Sequence, residues 1–164
     1  MLHASRDFLL TALIAAGLVS FVTIPLAGHL SDRFGRKRIY LIGSVATGIF
    51  GFIYFAMLNT VVPGWMFLAI VLSFVPHDLM YGPQAALIAE CFTARLRYSG
   101  SSIGYQLASV IAGGPAPLIA TALLAATGSG YAIAVYIAFC AVVSIIATVL
   151  MPDYTNRDIS QEHV

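Results

Sequence analysis

Residues 28–38 read GHLSDRFGRKR and separate two long uncharged runs, residues 8–27 and 39–72. The stretch holds five of the chain's fifteen Lys, Arg, Asp and Glu residues. An apolar run of about 20 residues is long enough to cross a bilayer as a helix. Because short cytoplasmic loops retain Lys and Arg, a basic cluster between two such runs predicts a cytoplasmic turn between two membrane-spanning helices.

The composition of the whole chain supports this interpretation. Apolar residues make up 60% of the 164 residues and charged residues 9%, whereas an ordinary soluble domain has about 25% charged residues. A water-soluble globule of this length cannot bury so much apolar surface, so we expect an all-α membrane protein. The charges form no basic stripe of the kind that binds nucleic acid, and two cysteines make no disulfide framework.

Five apolar segments are predicted to span the membrane, within a transmembrane region that covers residues 1–151. The charged connections and the polar tail, residues 152–164, fall on one side and carry seven basic residues, whereas Arg6 alone lies on the other side. The positive-inside rule therefore places the N-terminus outside and the tail in the cytoplasm. The predicted spans are residues 8–28, 39–58, 65–89, 100–126 and 131–151.

The basic stretch also resembles a family signature. Residues 28–37 match every fixed position of G-x-L-x-D-R-x-G-R-[KR], the signature of the major facilitator superfamily. In that family the signature joins the second and third helices of either six-helix half. The resemblance implies a chain similar to the final five helices of a twelve-helix transporter, so that the missing N-terminal helices would be its partner. A register over helices two to six of the first half fits the signature equally but explains the polar tail less well.

A later block resembles the metabolite:proton symporters within that superfamily. It comprises residues 81–86, Glu90, residues 95–100 and residues 104–106, although Thr93 stands where that family often has proline. The resemblance implies proton-coupled symport of a small anionic metabolite by alternating access, in a multi-pass protein of the cell inner membrane. The alternative is a membrane packing or regulatory module that transports nothing. An integral membrane enzyme is a remote alternative, because the sequence shows no residues at metal-ligand spacing, no phosphate-binding loop and no nucleophile with a neighbouring base. No cofactor is expected.

Asp78 is the foremost candidate for handling substrate or protons. It lies near the middle of the third span, where an ionised side chain is costly and burial favours the neutral carboxyl. Histidine is the side chain whose unperturbed pKa lies nearest to neutral pH, so His77 is a second candidate, although neighbours on a helix point about 100° apart. A polar pair that only holds helices together is the alternative. The candidate pathway residues are His77, Asp78, Tyr81, Gln84, Tyr105 and Gln106.

Proline and glycine interrupt two of the spans at mid-depth. Pro76 and Pro83 flank Asp78, and residues 113–117 read GGPAP in the fourth span. Broken helices at membrane depth are typical of transport sites, although kinks can also serve packing alone. Small residues at positions 100, 104, 108 and 112 predict a close helix contact along the fourth span. The nearly apolar second and fifth spans are expected to face lipid.

The charges at the cytoplasmic ends of the helices are expected to form one cluster. Asp32 is predicted to cap the start of the fourth span and to pair with Arg97, while Glu90 pairs with Arg33 or Arg36. Such a cluster resembles the cytoplasmic latch of the superfamily, and the alternative is a purely topogenic role for the charges. The candidate latch residues are Gly28, Asp32, Arg33, Gly35, Arg36, Lys37, Glu90, Arg95 and Arg97.

Overall fold

The computed structural model describes residues 5–93 and 95–152, and the tail from Asp153 to Val164 lies outside them. Every regular secondary-structure element in the described part of the chain is a helix. Five helical stretches are long and apolar enough to cross a membrane, which confirms the expected all-α class with five spans. The helices are α1 (Arg6–Phe34), α2 (Arg36–Asn59), α3 (Pro63–Ala89), α4 (Arg97–Ala108), α5 (Ala116–Thr127) and α6 (Tyr131–Leu150), and α4 and α5 belong to one span, Arg97–Thr127.

The basic stretch is a sharp corner between two helices rather than a loop. Helix α1 continues through Phe34 and α2 begins at Arg36, so Gly35 alone makes the turn. Its φ of +103° is a conformation that side chains with a β-carbon avoid. The Gly35 N–H donates to the Ser31 carbonyl at 3.0 Å and closes the last turn of α1. Gly28, expected to share the turn, lies inside α1.

Helix α3 is the centre of the packing, because it contacts both α1 and α2. These contacts are close at two glycines. A β-carbon at Gly82 of α3 would lie 2.9 Å from the Gly28 nitrogen and from the Ile24 oxygen of α1. A β-carbon at Gly43 of α2 would lie 2.8 Å from the Met80 side chain of α3. The backbones of neighbouring helices therefore touch at these positions, as small residues allow in membrane proteins.

The expectation that the second span faces lipid is wrong for a large part of its surface. Helix α2 packs against α1, α3 and α6, and it buries Ile39, Gly43, Ser44 and Gly51. A face with Ile42 and Ile49 stays uncovered by protein. An apolar helix in a bilayer can meet either lipid or another helix, because both surroundings are apolar. The scarcity of polar side chains in the second span therefore does not show whether the helix faces lipid or protein.

The fourth span is interrupted, and the interruption begins one turn before the predicted GGPAP motif. A π-helical segment, Ser109–Gly113, follows α4, and α5 starts at Ala116. Helix α3, by contrast, continues through Pro76 and Pro83. No residue of the span Arg97–Thr127 is buried, and an added β-carbon at Gly104 would meet nothing within 4 Å. Of the small residues expected to contact a helix, Gly104, Ala108 and Ala112 are exposed within the described part of the chain, whereas a β-carbon at Gly100 would lie 2.5 Å from the Phe92 ring.

Candidate functional site

Asp78 is the most deeply buried ionisable side chain whose exposure the structure describes. Only 1% of it is exposed, and it faces α1 across the α1–α3 contact. Its Oδ2 atom accepts a hydrogen bond from the Thr23 hydroxyl of α1. The carboxyl group is therefore held by a specific partner on another helix, as a buried polar group requires.

His77 precedes Asp78 on α3 and is much more exposed. Its Nδ1 atom is 3.2 Å from Oδ1 of Asp78, so the carboxyl has one partner on each oxygen. The His77 side chain is 61% exposed, and its ring stacks on Tyr81 with centroids 5.6 Å apart and planes 18° apart. The two adjacent side chains therefore differ in exposure, and the imidazole connects the buried carboxyl with the surface.

A cavity of about 390 Å³ lies between α3 and α4, one turn from His77. Four of the six predicted pathway residues line it, two from each helix, whereas Asp78 and His77 do not. Tyr81 lines the cavity from α3 and Tyr105 from α4. The lining carries hydroxyl, amide and aromatic groups but no charged side chain: Tyr81, Gln84, Ala85, Ile88, Ser101, Ser102, Tyr105 and Gln106.

Arg36 is the centre of a charge cluster at the α1–α2 corner. Its guanidinium lies 2.9 Å from Oδ1 of Asp32, one turn back, and also pairs with the Glu90 carboxylate at the end of α3. The predicted Glu90–Arg36 pair is therefore present. The two carboxylates differ in surroundings, because the Asp32 side chain is 62% exposed and the Glu90 side chain only 8%. Desolvated pairs depend far more strongly on both partners than exposed ones do.

The predicted cap of the fourth span by Asp32 is not formed. Leu96 is the N-cap of α4, and no side chain makes a capping hydrogen bond there. The Asp32 carboxylate bonds to Arg36 instead, because that guanidinium is four residues away and already oriented by the start of α2. Of the other predicted latch residues, Arg33 lies over the Phe34 ring with its guanidinium carbon 5.6 Å from the centroid, Arg95 is exposed, and Arg97 begins α4.

Lys37 has a role that the sequence did not indicate. Its Nζ atom donates to the carbonyls of Val149 and Met151, at 2.9 Å and 2.7 Å. The last carbonyls of a helix lack partners within the helix and carry partial negative charge, so a cation stabilises them. Lys37 therefore fastens the end of α6 to the corner between α1 and α2.

A profile of the Major Facilitator Superfamily matches residues 1–162. The chain belongs to this superfamily. The superfamily signature at residues 28–37 thus lies at the α1–α2 corner, and the chain is a multi-pass membrane protein of a transporter family rather than an enzyme.

The curated relatives of this superfamily member are transporters. The Escherichia coli (strain K12) shikimate transporter is 37% identical over 90% of this chain and 34% of its own length. The proline/betaine transporter of the same strain is 31% identical over 95% of the chain and 31% of its own length. The citrate-proton symporter of Klebsiella pneumoniae is 31% identical over 90% and 33%. The chain spans about a third of these relatives, and no solved structure matches it significantly.

The contacts of two residues of this superfamily member, Thr23 and Lys37, were not predicted from the sequence, although Lys37 is one of the predicted latch residues. Both act on partners more than 50 positions away in the sequence, Asp78 and the end of α6. A threonine inside an apolar span usually bonds to its own helix, and a lysine in a basic loop is usually topogenic. No local sequence signal distinguishes Thr23 from a threonine that bonds only to its own helix, or Lys37 from a lysine that only sets the topology.

Proposed function

We propose that this chain supplies the C-terminal part of a secondary active transporter, which moves a small anionic metabolite together with a proton by alternating access. The cavity between α3 and α4 carries the proposal, because it brings Tyr81, Gln84, Tyr105 and Gln106 together next to the His77–Asp78 pair. Pockets with a few convergent polar groups are the usual sites of small solutes. The interrupted fourth span forms one wall, as in other transporters.

The relatives support a carboxylate as the recognised group. Shikimate, citrate, proline and betaine differ in size and net charge, but each contains a carboxylate. The cavity offers phenol, hydroxyl and amide donors, which are suited to carboxylate oxygens. A neutral lining would leave the compensating cation to the remaining helices of the transporter. The solute proposed here is therefore a small, hydrogen-bonded carboxylate.

The proton would be carried by Asp78 and reach it through His77. An ionised side chain at the bilayer centre costs about 2.5–3.5 kcal/mol on insertion scales, so a carboxyl kept there has a function by default. A proton that arrives at Nε2 of His77 can be exchanged for the Nδ1 proton, which passes to Oδ1 of Asp78 3.2 Å away. The imidazole is then left as its other neutral tautomer, and the carboxyl is neutral.

The remainder of the transporter would cover the fourth span. Its face with Gly104 is open and no residue of the span is buried, although it is apolar enough to cross the membrane. The chain also spans only about a third of its relatives. In the proposed orientation the N-terminus is outside and the cytoplasmic charge cluster of Arg36 faces inward, in the cell inner membrane.

A chimaeric transporter tests this function, and a substitution on the same helix outside the cavity serves as the control. The chain replaces the corresponding segment of the E. coli shikimate transporter, and uptake of labelled shikimate, citrate, proline and betaine is measured with and without a protonophore. We expect protonophore-sensitive accumulation of at least one carboxylate. Gln106→Ala should raise KM roughly tenfold, about the value of one hydrogen bond to a charged group. Leu107→Ala, on the same helix but outside the cavity lining, is the control.

A chimaera that inserts normally but accumulates none of the four solutes would contradict the proposal, as would equal effects of the Gln106 and Leu107 substitutions. Insertion is measured by the amount of chimaera in the membrane fraction. Insertion without transport of any solute would favour the alternative, a membrane packing module.

A further inference from the structure

The Thr23 hydroxyl has two acceptors in the structure but only one hydrogen to donate. Its Oγ1 atom is 3.1 Å from the Val19 carbonyl, one turn back in α1, and it also contacts Oδ2 of Asp78 in α3. Bonding to the carbonyl four residues earlier is what threonine commonly does in helices. The contact with Asp78 is additional, and it joins two helices at a buried carboxyl group.

The other threonine of the first span, Thr11, provides the comparison. Thr11 lies on the same helix and donates only to the Asp7 carbonyl, at 2.8 Å. Thr11 is exposed, whereas Thr23 lies in the α1–α3 contact beside a side chain that is 1% exposed. The location of Thr23, and not its residue type alone, therefore selects the carboxylate as its acceptor.

We infer that Thr23 is a positioning residue that stabilises the ionised form of Asp78 and thereby sets the pH at which this carboxyl takes up a proton. A hydrogen bond to a carboxylate is about twice as strong as one between neutral groups. When Asp78 becomes neutral, the hydroxyl can return to the Val19 carbonyl, so neither state leaves it unsatisfied. The inference deepens the proposed function, on which its relevance to transport rests.

Few other titratable groups of the described helices are near enough to set this equilibrium. On α3, His77 contacts Asp78 directly and Tyr81 stacks on His77. Helix α4 contributes Tyr105, which lines the same cavity as Tyr81. Helix α1 carries no titratable side chain over residues 8–28, and α2 carries none over residues 41–53. Thr23 and His77 are thus the two polar contacts through which the protonation of Asp78 can be tuned.

Infrared spectroscopy of the purified chain in lipid nanodiscs tests the inference without any transport measurement. The carbonyl stretch of protonated Asp78 is obtained by subtracting the spectrum of Asp78→Asn and is followed from pH 9 to 4. Removing a donor to the ionised form favours proton uptake. We therefore expect the signal of Thr23→Val to appear about one pH unit higher than in the parent chain, a roughly tenfold gain in proton affinity.

Two further variants make the outcome decisive. Thr23→Ser retains the hydroxyl and should titrate like the parent, while Thr11→Val removes a hydroxyl of the same helix that does not contact Asp78 and should change nothing. The inference is overturned if Thr23→Val titrates at the parental pH, if Thr11→Val shifts the signal equally, or if no Asp78 signal develops. A shift seen here together with a chimaera that does not transport would refute the proposed function and leave the role of Thr23 standing.

Discussion

At the scale of single residues, the acidic side chain of Asp78, inside a membrane-spanning helix, has two polar partners. The Thr23 hydroxyl and the His77 imidazole each take one oxygen of Asp78, and the surrounding helices exclude lipid from it. An unpaired carboxylate at this depth would be expelled or neutralised. The two contacts thus join the carboxyl to one polar group on α1 and to one on α3.

Asp78→Asn should abolish uphill accumulation by the chimaera, because an amide cannot release a proton. Exchange of labelled for unlabelled solute needs no net proton movement and should continue. His77→Gln keeps a hydrogen-bonding group beside Asp78 and should slow accumulation less. Accumulation and exchange are measured on the same vesicles at equal protein content. Normal uphill uptake by Asp78→Asn would reduce Asp78 to a structural residue.

At the scale of helices, close backbone contact holds the central elements together. Lipid chains are as apolar as leucine, so helix association in a bilayer depends on fit rather than on hydrophobic contrast. The fit between α1 and α3 is closest at Gly82, which faces Ala27 and Gly28. Asp78 lies one turn before Gly82 on the same helix, so this contact also determines how near Thr23 can come.

Gly82→Ala should destabilise the chain by about 1–3 kcal/mol, the usual cost of overpacking. The added methyl group would lie 2.9 Å from backbone atoms that cannot move aside. Alanine otherwise favours a helix by about 1 kcal/mol over glycine, so Gly17→Ala, where nothing lies within 4 Å, should be neutral or stabilising. Reversible unfolding in mixed micelles gives both values. Equal stability of the two variants would show that the α1–α3 contact is looser than described.

At the scale of the whole molecule, the charges at the α1–α2 corner connect the ends of several helices. Arg36 binds Glu90 at the end of α3 and Asp32 at the end of α1, and Lys37 binds the last carbonyls of α6. Adjacent residues of the superfamily signature thus fasten three helices to the start of α2. The proposed latch role remains a prediction, and the structure indicates that Glu90 is its stronger member.

Glu90→Gln should loosen this end of the molecule more than Asp32→Asn does. Neutralising one partner of a desolvated pair costs on the order of 3 kcal/mol, whereas an exposed pair contributes below about 1 kcal/mol. The reaction rate of Ser31→Cys, at a position 1% exposed, reports the opening. Cys91 and Cys140 are replaced by serine for this measurement. Faster labelling in Asp32→Asn than in Glu90→Gln would contradict the prediction.

The proposed orientation can be checked with an impermeant thiol reagent on intact cells. Cysteine at Thr60, an exposed residue at the end of α2, should react from outside, and cysteine at Thr93, between α3 and α4, should not. Native Cys91 is a poor reporter, because burial raises the pKa of its thiol and lowers the reactive thiolate fraction. It is replaced by serine in both variants. The reverse labelling pattern would invert the orientation.

The sequence alone predicted five membrane-spanning helices, a turn within residues 28–38 and the superfamily, and these three predictions are confirmed. These are local properties: the length of apolar runs, the spacing of a signature, and the positions of proline and glycine. Four of the six predicted pathway residues line one cavity because Tyr81 and Gln84, like Tyr105 and Gln106, are near neighbours on one helix. Spacing along a helix is readable without tertiary structure.

Only the tertiary structure decided which helices touch and which charges pair. It showed that Thr23 bonds to Asp78 and that Lys37 bonds to the end of α6. It also showed that Arg36 has its buried ion pair with Glu90 and its exposed one with Asp32. Each of these choices depends on how helices distant in the sequence rotate and approach. Inside a bilayer, the rotation of a helix is set by close backbone contact at a few small residues. It is not set by a division into a polar and an apolar face, so the hydrophobic pattern of the sequence does not predict it.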